Sequence, residues 1–305
     1  MIQVANPIYD VVFKFLMEDN SIAKMYISKI IDEEILDLEL CPQEKIASIG
    51  YRDLTVYRLD FKARIKTDDG FKIVLIEIQK AKLASDIMRF RKYLGEQYSD
   101  KNNVYTLNES SEEYGKPCPI ISIYFLGYKL DHIDAAVVKV KRKIYDAATN
   151  LEIFEKEEFI ESLTHDSYII QIPLLKGRRR TDLEIALSVF DQSNRDKDEH
   201  ILNVNEADFP EECRQVTRRL QYAVTTKEIR DVMDLEDEII KDFQDLERQI
   251  AKKQLLLIEQ DQVLVEKDQA LVAKDQALVE KEKALTQKDQ EIADLRKALN
   301  LLNQK

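Results

Sequence analysis

The chain has 305 residues, with 58 acidic against 46 basic side chains and a formal charge of −12. That length supports one or two domains with a real apolar core, and the acidity excludes a global attraction to nucleic acid or to an anionic membrane, so any such contact has to come from local basic patches. Cys41, Cys118 and Cys213 are far apart and form no CxxC pair, and His132, His165 and His200 have no ligand at metal spacing, which argues against a disulfide framework and a zinc site. The opening MIQVANPIYDVVFKFL lacks a basic region and a small-residue cleavage site, so no signal peptide is expected. The longest apolar stretch, 119–128, is too short to span a bilayer. The expectation is a soluble cytoplasmic protein without membrane contact.

Asn6-Pro7 reads as a helix start, followed by an apolar stripe of Ile8, Val11, Val12, Phe15 and Leu16. A second helix is predicted from near Ser21. Residues 45–66 read as strand, turn and strand, and Asp69-Gly70 marks a hairpin into a second apolar run ending at Gln79. Ser85 caps a predicted helix through Tyr98, residues 99–117 read as a loop, and 119–128 is a buried strand. Further on, 135–140 and 168–174 read as strands, and 181–190 and 211–222 as helices, with Thr225-Thr226 as a break. From Lys227 onward the chain has no Gly or Pro and reads as one or two long helices.

The tail repeats with period seven: LVEKDQA, LVAKDQA, LVEKEKA, LTQKDQE. Leu257, Leu264, Leu271, Leu278, Leu285, Ile292 and Leu299 form one stripe. The position three on is lysine from Lys267 to Lys288, and the position four on is acidic from Asp268 to Asp289, so the seam is weak for a coiled coil. Two readings stand equally: a solvated helical tail, or a weak zipper that makes a homo-oligomer. The domain expectation is 1–225 for a globular part and 226–305 for the tail.

The chemistry-bearing feature is Asp60 followed by Glu77-Ile78-Gln79-Lys80. A carboxylate is costly to bury in an apolar strand unless something pairs with it. Residues two apart on a strand share a face, so Glu77 and Gln79 point the same way, and Asp60 comes from the neighbouring strand. Two carboxylates converging beside a sheet suit a hard divalent cation. The structural alternative is plain ion pairing of Asp60 with Lys62 or Arg64, and of Glu77 with Lys72 or Lys80.

Three stretches in order carry a resemblance: Asp10-Val-Val-Phe-Lys14-Phe-Leu, then Asp60 with Glu77-x-Gln79, then Arg89-Phe-Arg91-Lys-Tyr93. With them, residues 1 to about 130 resemble the recombination-promoting nuclease and transposase family of the PD-(D/E)xK nuclease superfamily. The resemblance implies an α/β, restriction-endonuclease-like αβββαβ core with a mixed central sheet. It further implies a Mg²⁺- or Mn²⁺-dependent DNA endonuclease tied to recombination or transposition. Asp60, Glu77 and the Ile78 carbonyl would hold the metal, and Gln79 would position the attacking water. Gln79 stands where the superfamily has a lysine, and Lys62, Lys14 and Lys80 are the substitutes, in that order. Asp10 would be an auxiliary acid, and Arg89 or Arg91 would contact a phosphate. Arg178, Arg179 and Arg180 form the better DNA-binding run, ahead of Lys139 to Lys143. The competing reading is a catalytically inactive nuclease-fold protein that binds or assembles through its tail.

Overall fold

The structure, a computed structural model, describes residues 1–41, 61–82, 86–105 and 116–302. It divides into two compact units, Met1–Lys241 and Asp242–Lys305. The first is an α/β unit built on a six-stranded mixed sheet, and the second continues a long C-terminal helix.

Chain order begins with a short strand, β1 (Ile2–Ala5), then helices α1 (Asp10–Met17) and α2 (Asn20–Ile31). The expected start at Asn6-Pro7 is displaced. Asn6 is buried and its side chain is tied to Gln192 and the Glu199 carbonyl, so the chain turns there and α1 begins at Asp10. Helix α2 starts as expected, because Asp19 caps it by accepting from the Ser21 and Ile22 N–H groups.

Strands β2 (Asp37–Leu40), β3 (Phe61–Thr67) and β4 (Gly70–Gln79) follow, then helix α3 (Asp86–Ser99). The Asp-Gly hairpin forms between β3 and β4, with Gly70 at φ +111°, a conformation open to glycine at little cost. The expected strand and turn before residue 61 lie outside the described residues. A two-stranded pairing of β5 (Val104–Tyr105) with β6 (Lys116–Pro117) closes the stretch read as a loop.

Next come β7 (Ile120–Leu126), β8 (Val137–Val140), the small hairpin β9 (Ile144–Tyr145) and β10 (Glu152–Ile153), α4 (Glu158–Leu163) and β11 (His165–Gln171). Helix α5 (Asp182–Leu187), strand β12 (Ile201–Val204), helix α6 (Arg214–Thr225) and helix α7 (Lys227–Leu302) complete the chain.

The main sheet runs β2-β3-β4-β7-β11-β8. β4, β7 and β11 are parallel and central, while β2, β3 and β8 are antiparallel. Strands covered on both faces read as continuous apolar runs, which is why β4 and β7 stood out in the sequence. One face carries Ala63, Ile65, Val74, Ile76, Ile78, Ile123 and Phe125 against α1, α2 and α6. Phe13 of α1 lies 5.3 Å from the Phe125 ring, and Phe190 lies 5.0 Å from it. The other face is a smaller cluster of Ile73, Leu75, Cys118 and Ile120 under Tyr93 of α3. Ile229 and Met233, early in α7, are buried in the main core. The helix therefore starts after the Thr225-Thr226 break, while the division between units falls later, inside α7.

Candidate active site

Along β4, Phe71, Ile73 and Leu75 face α3, and the next two positions on that face are Glu77 and Gln79. The apolar alternation thus delivers a carboxylate and an amide to the strand's C-terminal end, where both are buried, Glu77 to 1% exposure. The Gln79 side-chain N–H donates to Glu77 Oε1 at 2.7 Å, and the Arg89 guanidinium, early in α3, donates to the same oxygen at 2.9 Å. Helix α3 is held over this end by Phe90, whose ring centroid is 4.1 Å from that of Tyr124 on β7. Tyr124 pairs in register with Glu77. Burial, with the Glu77 charge adding and a Ser122 hydrogen bond opposing, pushes its hydroxyl well above the usual tyrosine value.

Of the expected site residues, the structure therefore brings together Glu77, Gln79 and Arg89. Ile78 turns its side chain to the main core. Lys62 shares the Glu77 face, because it pairs with Leu75 in register. Its ammonium is 2.9 Å from Asn103 Oδ1 and 3.5 Å from Asp100, just beyond α3. Asp60 lies outside the described residues, immediately before β3. Arg91 is exposed on α3.

Asp10, Lys14 and Lys80 belong to a second polar cluster, on the opposite side of the sheet. α1 packs on the main-core face, and Lys14 pairs with Asp10 at 2.6 Å within it. The Asp10 N–H donates to the Glu236 carboxylate at 3.0 Å. Lys80 pairs with Asp237 and sits 3.6 Å from the Tyr9 ring centroid. The Tyr9 hydroxyl donates to Asp237 at 2.9 Å, and His200 Nε2 is 3.0 Å from the same oxygen. Burial and the nearby Asp10 carboxylate push Glu236 up to about 8. Against the cost of burial, hydrogen bonds from Lys80, His200 and Tyr9 hold Asp237 below the usual aspartate value. Sequence reasoning missed Tyr9, His200, Glu236 and Asp237; they come from segments up to 228 positions apart, and no local pattern joins them.

The basic runs are largely engaged internally. Arg179 pairs with Asp208 at 3.1 Å and lies over the Phe209 ring. Arg180 pairs with Glu184, whose carboxyl is held below its usual value by that hydrogen bond against the cost of burial. Arg178 is half-buried at the turn after Gly177. In the other run, Arg142 is gripped by Glu161 at 2.8 Å and Asp166 at 3.0 Å, and Lys143 pairs with Glu152.

Among the described residues, no group of three or more His, Cys, Asp or Glu side chains is arranged to hold a metal ion. No helix among them is long and apolar enough to cross a membrane. No protein-family model, curated protein or solved structure matches the chain.

Proposed function

We propose that the first unit is a divalent-metal-dependent DNA endonuclease with its site at the C-terminal end of β4. The observation that carries this reading is Glu77. A fully buried carboxylate closes an apolar strand, shares its face with a glutamine, and lies under a helix that brings an arginine to it. Burying an ionised carboxylate costs several kcal/mol without a partner, and groups held this way concentrate where charge has a task. With the short strands β1, β5 and β6 set aside, the order α1, α2, β2, β3, β4, α3, β7 supports this reading, which takes its αβββαβ core from the sequence resemblance.

Glu77 fits a hard cation as one anionic oxygen ligand, and the proposed set is completed by Asp60 and the Ile78 carbonyl. A bound Mg²⁺ or Mn²⁺ would supply an activated water and offset charge on the phosphate. Gln79 would orient the attacking water through its amide. Arg89 balances Glu77 in the metal-free chain and, rather than Arg91, is our choice for the phosphate contact, since a planar guanidinium suits that group. Among Lys62, Lys14 and Lys80, Lys62 is the one that shares the Glu77 face, and it is our choice for the missing lysine. DNA as substrate, with a role in recombination or transposition, rests on the resemblance alone.

The Arg89–Glu77 contact also supports the second reading. A carboxylate already neutralised by an arginine suits a nuclease-fold protein that has lost catalysis and serves as an assembly module. Titration calorimetry with Mn²⁺ separates the two. On the first reading the chain binds Mn²⁺ and both Asp60→Ala and Glu77→Gln lose it; binding unaffected by either change contradicts the proposed ligands.

A further inference from the structure

We propose that the second unit is a parallel, in-register interface with a second copy of this chain, specified by lysine–carboxylate pairing across a leucine seam. Residues 248–293 of α7 are exposed without exception. The apolar stripe is longer than the obvious repeats suggest, since Phe243 and Ile250 precede Leu257 at the same seven-residue spacing. Leu264, Leu271, Leu278 and Leu285 on it are 56% to 61% exposed. At both ends the position three on is also apolar, Leu246 at one end and Leu295 at the other, which is the two-position seam of a coiled coil. Between the ends that second position is Lys253, Gln260 and then, through the repeats, Lys267, Lys274, Lys281 and Lys288, and the residue after each repeat lysine is Asp268, Asp275, Glu282 and Asp289.

These charges have almost nothing to pair with on their own helix. Partners in a helix sit three or four residues away. For Lys267, Lys274, Lys281, Asp268 and Asp275, every such neighbour is Leu, Val or Ala. Outside the repeats, Arg248 pairs with Asp245 three residues before it. Lysines flank the leucine stripe on one side and carboxylates on the other, because three and four residues fall on opposite sides of a helical position.

Geometry then selects the occupant and its direction. When two parallel copies meet about a twofold axis along the helices, the lysine flank of each faces the carboxylate flank of the other. When they meet antiparallel, lysines face lysines and carboxylates face carboxylates. Like charges held together across a seam are unfavourable and opposite charges favourable, so the repeat favours the parallel pair. Lysine at the second seam position makes this seam weaker than one with apolar residues at both positions.

Light scattering on the full chain tests the state, and spin-label distances test the direction. The expected mass is twice the 35.7 kDa of one chain. Leu271→Glu with Leu278→Glu keeps helix propensity and is expected to weaken association tenfold or more with unchanged helicity by circular dichroism. Changing the four lysines to Glu is expected to abolish association, and exchanging lysines and carboxylates together to restore it. Labels at Gln262 and at Gln290, in a Cys41→Ser background, are both expected to show short distances between like positions. A monomer at every concentration, indifference to the leucine changes, or a long distance at either label overturns the proposal.

Discussion

Replacing Glu236 by Gln is expected to stabilise the first unit at alkaline pH and to leave it unchanged near pH 4.5. The Glu236 carboxyl is pushed from 4.5 to about 8 by burial and by the Asp10 carboxylate beside it. Because the folded value lies above the unfolded one, the folded chain holds more protons than the unfolded chain between those two pH values. The stability this group contributes is therefore fully present below pH 4.5, declines as pH rises, and is lost above about pH 8. A shift of this size corresponds to several kcal/mol at face value, and partial exposure reduces it to about 2 kcal/mol. Glutamine keeps an oxygen that accepts from the Asp10 N–H, so the geometry survives. Asp237 does not confuse the result, because its carboxyl is held below 3.8 and its contribution is lost only at more acid pH. The assay is thermal melting followed by near-ultraviolet circular dichroism of the tyrosines, since the chain has no tryptophan. The difference between variant and wild type cancels every group they share. At pH 8.5 the variant is expected to melt about 5 °C higher, and near pH 4.5 the two should agree within about 1 °C. A difference that does not change with pH refutes the argument.

Two neighbouring carboxylates alone would make Glu77→Gln stabilising in metal-free buffer; the Arg89 contact reverses that sign, and a loss of about 1–3 kcal/mol in chemical denaturation is expected. Changing Arg178, Arg179 and Arg180 to Ala is expected to weaken DNA binding and to flatten its salt dependence by about 0.9 in log–log slope per lost phosphate contact. Unchanged binding would leave Arg179 and Arg180 to their pairs with Asp208 and Glu184. Truncation after Gln254 is expected to leave the first unit folded, because Ile229 and Met233 stay in its core; loss of cooperative melting would show that the tail supports it.

The elements whose signal is local were legible. Asp69-Gly70 set the hairpin, continuous apolar runs set β4 and β7, and the period of two placed Glu77 and Gln79 on one face. Lys80 falls on the other face for the same reason. What local pattern does not encode is partnership across the chain. β1 pairs with β12 some two hundred residues later, and neither strand is long enough to carry a period. Arg89 and Arg91 are alike in sequence, yet one turns to Glu77 and the other lies exposed, since two positions on a helix lie about 200° apart. Asp10 looked like a companion of Glu77, but α1 packs on the main-core face, where the Asp10 carboxylate meets Lys14 and its N–H donates to Glu236.

Divalent-dependent nicking of supercoiled DNA bears most directly on the proposed endonuclease. The account predicts nicking by the wild-type chain with Mg²⁺ or Mn²⁺, none in chelator, and none by Asp60→Ala or Glu77→Gln purified in parallel. Equal nicking by all three proteins, or none by the wild type with either metal, would contradict it.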